Sequence, residues 1–222
     1  TRNKGCTNTK DHQQTIQQIA EEGIVLLKND TAHLPLSKET KKILVLGDNA
    51  KRTHAAGGGS AEIKALYDIS PLLGMRMVLG GDAQIDWLPG YYVDNEKHVA
   101  GEVDWQAESL DVDYTTDRGK EQFDKEIRPI REKYLKEALD ACPSYDEVIF
   151  IGGLNHAYDV EGFDRPDMTL PYGQNEVIEA LTEKCKNLTV VLINGGPVEM
   201  PWINKANSLI QTSSVSYTHL TL

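Results

Sequence analysis

An α/β fold, with a mostly parallel sheet sandwiched by helices, follows from two features of the sequence. Short apolar runs end in glycine: Ile43-Leu44-Val45-Leu46 before Gly47, Val148-Ile149-Phe150-Ile151 before Gly152-Gly153, and Thr189 to Ile193 before Gly195-Gly196. Between them lie stretches whose apolar residues recur at helical spacing. A run this short, bounded by charge and glycine, reads as a strand buried on both faces, as parallel sheets require. Strand, helix and strand in alternation then give a sheet covered by helices. Ligands of such sheets bind at the carboxyl ends of the strands. The loops after Leu46, Ile151 and Ile193 are therefore expected to share one face.

Each element can be argued in order. Asp11 with Gln14 reads as a helix-start capping pair. Ile16, Ile19, Ala20, Gly23, Leu26 and Leu27 continue that helix to the turn formers Asn29-Asp30. Leu34-Pro35-Leu36 and Lys41-Lys42 lead into the first strand, Ile43–Leu46. Ser70-Pro71-Leu72-Leu73 opens a short helix, and Met75 to Leu79 reads as the next strand. Residues 86–120 are acidic, tyrosine-bearing and weakly periodic, which suits an insertion or long surface excursion. Helical spacing returns with Phe123, Ile127, Ile130, Tyr134, Ala138 and Leu139, with Pro129 starting or kinking the helix. After the strand at Val148–Ile151, Gln174 to Lys186 is helical, and Thr189–Ile193 is the third buried strand.

Composition narrows the function classes. The 222 residues suffice for one sizeable domain. Net charge is −11, the wrong sign for a phosphate backbone, so no nucleic-acid partner is expected. No apolar run approaches the roughly 18 residues of a membrane helix, so no membrane partner is expected either. Cys6, Cys142 and Cys185 are far apart and lack C-x-x-C spacing. They read as buried free thiols, not as a metal site or disulfide framework. Asn29-Asp30-Thr31 and Asn187-Leu188-Thr189 match the glycosylation acceptor pattern, which arises easily by chance.

Two stretches have chemical potential. Gly57-Gly58-Gly59-Ser60 fails as a phosphate loop, because no Lys precedes Ser60. It also fails as a dinucleotide loop, because Glu62 stands at the third glycine and the run starts well past Leu46. What remains is a backbone open to close approach, with a hydroxyl at Ser60, or a plain flexible loop. The second stretch runs from Gly152 to Arg165 and places Asp159, Glu161, Asp164 and Arg165 just past a buried strand. Glycoside hydrolysis needs one carboxyl that stays protonated. Apolar or anionic neighbours raise a carboxyl's pKa, and Glu161 has Val160, Phe163, Asp159 and Asp164 nearby. On spacing alone the segment reads equally as a solvated loop with an Asp164–Arg165 ion pair. His156 is a proton carrier or a hydrogen-bonded loop residue. Neither H-E-x-x-H nor G-x-S-x-G occurs.

Five segments, in order, resemble glycoside hydrolase family 3. They are Ala20 to Asn29 with Leu34-Pro35-Leu36, then Lys42 to Ala50, then Gly57-Gly58-Gly59-Ser60. Glu161-Gly162-Phe163-Asp164-Arg165 with Leu170-Pro171 and Gln174 follows, and last Gly195-Gly196-Pro197-Val198 to Pro201-Trp202. The resemblance implies the family's second, α/β sandwich domain, here residues 1–211. It implies a retaining exo-acting β-glycosidase, with β-glucosidase activity first and β-xylosidase second, and no cofactor or metal. Glu161 matches the acid/base position, Ser60 matches a sugar-contacting serine, and Asp164 and Arg165 match positions that hold the acid/base loop. The implied substrate is an oligosaccharide or other β-glycoside. The implied partner is a preceding (β/α)8 barrel of the same parent chain, which carries the nucleophile.

Two alternatives stay in view: a non-catalytic carbohydrate-binding or scaffold module on the same fold, and a nucleotide-binding regulatory domain, against which the failed phosphate loops count. At the ends, Thr1 to Cys6 reads as a cut inside a longer chain. Residues 212–222 depart from the family pattern and read as a non-native tail, which leaves the sheet incomplete at its C-terminal end.

Overall fold

The computed structural model describes residues 5–6, 8–52, 67–93, 121, 123–159 and 165–213. Helix α1 is Lys10–Glu22, and strands β1 and β2 are Val25–Lys28 and Lys42–Leu46. Helix α2 is Pro71–Leu79, and β3 is Gln84–Leu88. A wide helical turn, Phe123–Ile127, leads into α3, Arg128–Ala141. Strand β4 is Glu147–Gly153, α4 is Gln174–Lys184, β5 is Leu188–Ile193 and β6 is Ser208–Thr212. The six strands form one sheet in the order β1-β6-β5-β4-β2-β3. All neighbours are parallel except β1, which runs antiparallel to β6.

Alternation along the central strands builds two apolar layers. Leu44, Leu46, Val148, Phe150, Val190 and Leu192 face α3 and α4, meeting Ala138, Ile178 and Leu181. Ile43, Val45, Ile149, Ile151 and Ile193 face the other way and meet Leu72 of α2. Burying one such side chain contributes about 1.5–3 kcal/mol. Because both faces are covered, the three buried strands carry the apolar runs read from the sequence, with Glu147 and Thr189 as buried polar residues near their starts.

Five boundary readings are corrected. The N-cap of α1 is Thr9, whose hydroxyl accepts from His12 N at 3.2 Å, so the helix starts before the Asp11–Gln14 pair. It also ends at Gly23, and Val25–Lys28 is a strand paired with β6, not a last helical turn. Met75 to Leu79 is helix: Ser70 caps α2, Pro71 suits its first turn, and Leu72, Met75 and Leu79 turn one side to the sheet. The strand that follows is β3, which takes in Asp86–Leu88, and Tyr91 and Val93 are buried in the core. The stretch read as an excursion from residue 86 is therefore fold up to Val93, and 94–120 lie outside the described residues. Likewise Thr212, assigned to the tail, closes β6 opposite Ile193; residues 214–222 are not described. Pro129 starts α3 and does not kink it.

The amino-terminal edge of the sheet is held by polar side chains. Glu147 is 2% exposed; its carboxylate lies 3.0 Å from His33 Nε2 and accepts from Thr189 Oγ1 at 2.8 Å. Ser208 Oγ donates onward to Thr189 Oγ1 at 3.0 Å, so the ladder crosses β4, β5 and β6. Both glycosylation-pattern asparagines are engaged nearby: Asn29 Nδ2 donates to Leu34 O and Asn187 Nδ2 to Asp146 O.

Asp146 Oδ2 accepts from the backbone N–H of Lys41 and of Lys42, each at 2.9 Å, tying the start of β2 to that of β4. Those two bonds hold its carboxyl below the ordinary carboxylate range. A depressed folded-state pKa gives stability that is present above the unfolded pKa and lost as pH falls through the folded one. We predict that Asp146→Asn flattens the fall of melting temperature between about pH 5 and pH 2. Parallel acid limbs for variant and parent would show that Asp146 does not contribute.

Candidate functional site

The strand order places the site before any side chain is considered. From β2 the chain crosses outward to β3, and from β4 it crosses the other way to β5. Where neighbouring parallel strands send their connections in opposite directions, a crevice opens at their carboxyl ends. Here that switch point lies between β2 and β4. The loop that leads toward Ser60 leaves β2, and the loop that leads toward Glu161 leaves β4.

The exit from β2 passes directly over β4. Gly47 has φ of +106°, and a Cβ there would sit 2.1 Å from the carbonyl oxygen of Ile151. Trp87 Nε1 donates to Gly47 O at 2.9 Å, and Lys51 Nζ lies 3.2 Å over the Trp87 ring. Asn49 is 1% exposed and donates from Nδ2 to Gly152 O at 2.9 Å and Leu154 O at 3.0 Å. Asp48 and Arg52 form an ion pair one helical turn apart.

The exit from β4 repeats the design over β5. Gly153 has φ of +112°, and a Cβ there would meet Ile193 O at 2.2 Å. Its peptide groups leave the ladder at this point, and buried Gln174 takes them over. Gln174 Oε1 accepts from Gly153 N and its Nε2 donates to Gly153 O, both at 2.8 Å. The chain then makes a tight turn on Asn155, whose carbonyl accepts from Tyr158 N and Asp159 N. Asn155 Nδ2 donates to the Tyr172 hydroxyl at 2.9 Å. Tyr172 has φ of +63°, a conformation that costs a non-glycine residue about 1–3 kcal/mol. Its ring stacks on Tyr91, with centroids 6.1 Å apart, and meets Tyr158 edge-on at 5.3 Å. Burial, with Asp48 adding to it, pushes the Tyr91 hydroxyl far above its ordinary pKa.

The described residues on either side of segment 160–164, Asp159 and Arg165, bond to the same neighbouring loop. On its N-terminal side, Asp159 Oδ2 accepts from Gly195 N at 2.6 Å. A Cβ on Gly195 would lie 2.7 Å from that oxygen. On its C-terminal side, Arg165 Nη2 donates to Pro197 O. Asn194 Nδ2 donates to Gly196 O at 2.6 Å, which shapes the receiving loop. Arg165 Nη1 and Asn194 Oδ1 are buried without a hydrogen-bond partner among the described residues.

Of the site residues read from the sequence, Arg165 is placed, with one guanidinium nitrogen on the loop after β5. Ser60, Glu161 and Asp164 lie outside the described residues. His156 is half-buried on the turn at Asn155. Sequence reasoning missed Tyr172, and it quoted Asn49, Asn155 and Gln174 only as parts of motifs. No local pattern marks a buried amide; the one available signal was that Gln174 and the double glycine flank the acidic segment. Among the described residues, no cluster of three or more His, Cys, Asp or Glu side chains could hold a metal ion, and no helix is long and apolar enough to cross a membrane.

A family model of the glycosyl hydrolase family 3 C-terminal domain matches residues 24–216. The chain belongs to glycoside hydrolase family 3. It is 37% identical over 216 residues to a β-glucosidase, BoGH3A, of Bacteroides ovatus, covering 94% of this chain and 26% of that protein. A β-xylosidase of Formosa agariphila is 31% identical over 201 residues, covering 89% of this chain and 23% of its own length. The family 3 domain described here thus spans about a quarter of these relatives. Among solved structures, a β-glucosidase of Kluyveromyces marxianus shares the fold with a TM-score of 0.72 at 21% identity, over 95% of this chain and 40% of that one. An exo-β-xylosidase, XlnD, gives 0.68 at 28% identity, over 95% and 22%.

Replacing Gln174 with Ala would orphan the N–H and the carbonyl of Gly153 inside the domain. At about 1–3 kcal/mol for each buried unsatisfied group, the expected loss is about 2–6 kcal/mol. Thermal or urea unfolding measures it, and a loss below about 1 kcal/mol would show that water takes over both bonds.

Proposed function

We propose that this family 3 domain belongs to a retaining exo-acting β-glycosidase, a β-glucosidase first and a β-xylosidase second, in which Glu161 is the general acid/base. The observation that carries the reading is the anchoring of the residues on either side of segment 160–164. Asp159 and Arg165, on its two sides, hold the loop after β5 at the carboxyl edge of the sheet. A loop fastened at both ends beside the switch point suits a carboxyl that must meet a glycosidic oxygen from a fixed direction. The motif Glu161-Gly162-Phe163-Asp164-Arg165, carried by a family member, supplies the identity of that carboxyl.

In this reading the nucleophile and most of the sugar-binding surface come from a (β/α)8 barrel that precedes the domain in the same parent chain. Ser60 contacts the sugar from the loop after β2, and Asp164 and Arg165 hold the acid/base loop. Glu161 protonates the departing oxygen, then draws a proton from the water that breaks the glycosyl-enzyme. Retention needs two carboxyl groups about 5–5.5 Å apart on opposite sides of the scissile bond. Asp159 is spoken for by Gly195 N and shares a loop with Glu161, so it is poorly placed to face Glu161 across a sugar.

Two outcomes test the proposal. In a protein carrying both domains, Glu161→Ala should cost about 10²–10⁴-fold on unactivated disaccharides. The loss should be smaller on aryl glycosides with good leaving groups, and azide should restore turnover as the glycosyl azide. Hydrolysis of disaccharides at the parental rate would place the role elsewhere. The 222-residue chain by itself should not turn over an aryl β-glucoside or aryl β-xyloside. Turnover abolished by Glu161→Ala would mean that this domain holds both carboxyl groups.

A further inference from the structure

Two of the three cysteines, 43 positions apart in sequence, meet at the amino-terminal edge of the sheet. Cys142 is the C-cap of α3, and its N–H donates to Ala138 O. Cys185 is the C-cap of α4, with its N–H on Leu181 O at 2.8 Å. The strands that follow, β4 and β5, are hydrogen-bonded neighbours, with Val148 opposite Leu188. The two helix-to-strand corners are themselves stitched together: Val148 N donates to Asn187 O at 3.2 Å, and Asn187 Nδ2 donates to Asp146 O at 2.9 Å. Both cysteines belong to the core under α3 and α4; Cys142 is 3% exposed, and Cys185 is half-buried. The two thiols lie close enough for each to act on the other's protonation, and both are free.

We propose that Cys142 and Cys185 are a redox modification site: a thiol pair that a small peroxide converts to a disulfide joining the ends of α3 and α4. The packing removes the usual obstacle, because the two corners are already held side by side by the sheet and need no refolding to bond. Each thiol's effect on the other favours the thiolate at Cys142 and keeps the proton on Cys185. Cys185 gives the pair its opening to solvent.

The chemistry balances with hydrogen peroxide as oxidant. The Cys142 thiolate attacks one peroxide oxygen, the O–O bond breaks, and the departing hydroxide takes a proton to leave as water. Cys142 is then a sulfenic acid. Cys185 sulfur attacks that sulfur, the S–S bond forms, the S–O bond breaks, and hydroxide leaves with the Cys185 proton as a second water. Two thiols thus lose two electrons and two protons, and one peroxide becomes two waters. The bond closes a loop of roughly forty residues, long enough to stabilise the fold markedly. It lies at the end of the sheet opposite the candidate site, so it acts on stability and leaves the site's hydrogen bonds in place. The inference does not depend on the glycosidase reading.

The test uses the 222-residue chain carrying Cys6→Ser, which removes the exposed thiol. After mild peroxide, thiol titration in denaturant should fall from two to none, with a mass lower by two hydrogens and no added oxygen. Peptide mapping should recover one Cys142–Cys185 cross-link. The melting midpoint should rise by roughly 10 °C and return with dithiothreitol. In the Cys185→Ala background, peroxide should leave the midpoint unraised. Two titratable thiols after peroxide, sulfinic acid in place of the cross-link, or the same rise in the Cys185→Ala background would each overturn the proposal.

Discussion

The carboxyl edge of this sheet depends on a steric constraint between neighbouring strands. At Gly47 and again at Gly153 the chain leaves its strand so close to the next strand's backbone that no Cβ fits. The hypothetical carbon would lie 2.1 Å from Ile151 O in one case and 2.2 Å from Ile193 O in the other. Both glycines have φ above +100°, a region open to glycine and strained for any other residue. These two contacts fix the direction in which the loops leave β2 and β4. Close approach also takes peptide groups out of the ladder, and buried peptide groups need partners. Asn49 and Gln174 provide them. Asn49 Nδ2 donates to two carbonyls, and the Gln174 amide both donates and accepts, as a strand would where no strand can run.

A second consequence concerns charge. On spacing the dipeptide Asp164-Arg165 reads as an ion pair, and Asp164 lies outside the described residues. The structure puts Arg165 on a backbone carbonyl, Pro197 O, and Asp159 on a backbone N–H, Gly195 N. Exposed ion pairs contribute about 0–1 kcal/mol and weaken with salt. A charged group bonded to a backbone dipole is stronger and is fixed in direction by the main chain. Asp159 and Arg165 are thus each fastened to main-chain groups of the loop after β5.

How much of this was legible follows from what each residue had to satisfy. Strands β2, β4 and β5 were readable because burial on both faces demands an unbroken apolar run. Strand β3 escaped because it lies at the sheet's edge and carries Asp86, whose carboxylate accepts from Tyr145 OH at 2.9 Å. Met75 to Leu79 was ambiguous, since a short apolar run suits a helix or a strand, and the cap at Ser70 decides for helix. Ile24 to Leu27 extended the helical pattern by coincidence of period, while Gly23 and the pairing with β6 made it strand. The motif around Glu161 was legible through resemblance. Asn49, Tyr172 and the Cys142–Cys185 contact were not, because each exists only once distant segments pack.

The two ends of the sheet solve opposite problems. At the amino-terminal edge, polar side chains lock strand starts together: Glu147 with His33, Thr189 and Ser208, and Asp146 with the backbone at Lys41 and Lys42. None of those bonds reaches the switch point. At the carboxyl edge the bonds run from side chain to backbone and serve to aim loops, at the cost of a strained Tyr172 and of buried polar atoms on Arg165 and Asn194 that lack partners among the described residues. Strain and unsatisfied polar groups persist where the surrounding structure over-determines them, and they concentrate where a protein does its work. Those costs are physical support, separate from family membership, for proposing the carboxyl edge as the functional end of the domain. Stability held at one end leaves the other free to keep such costs.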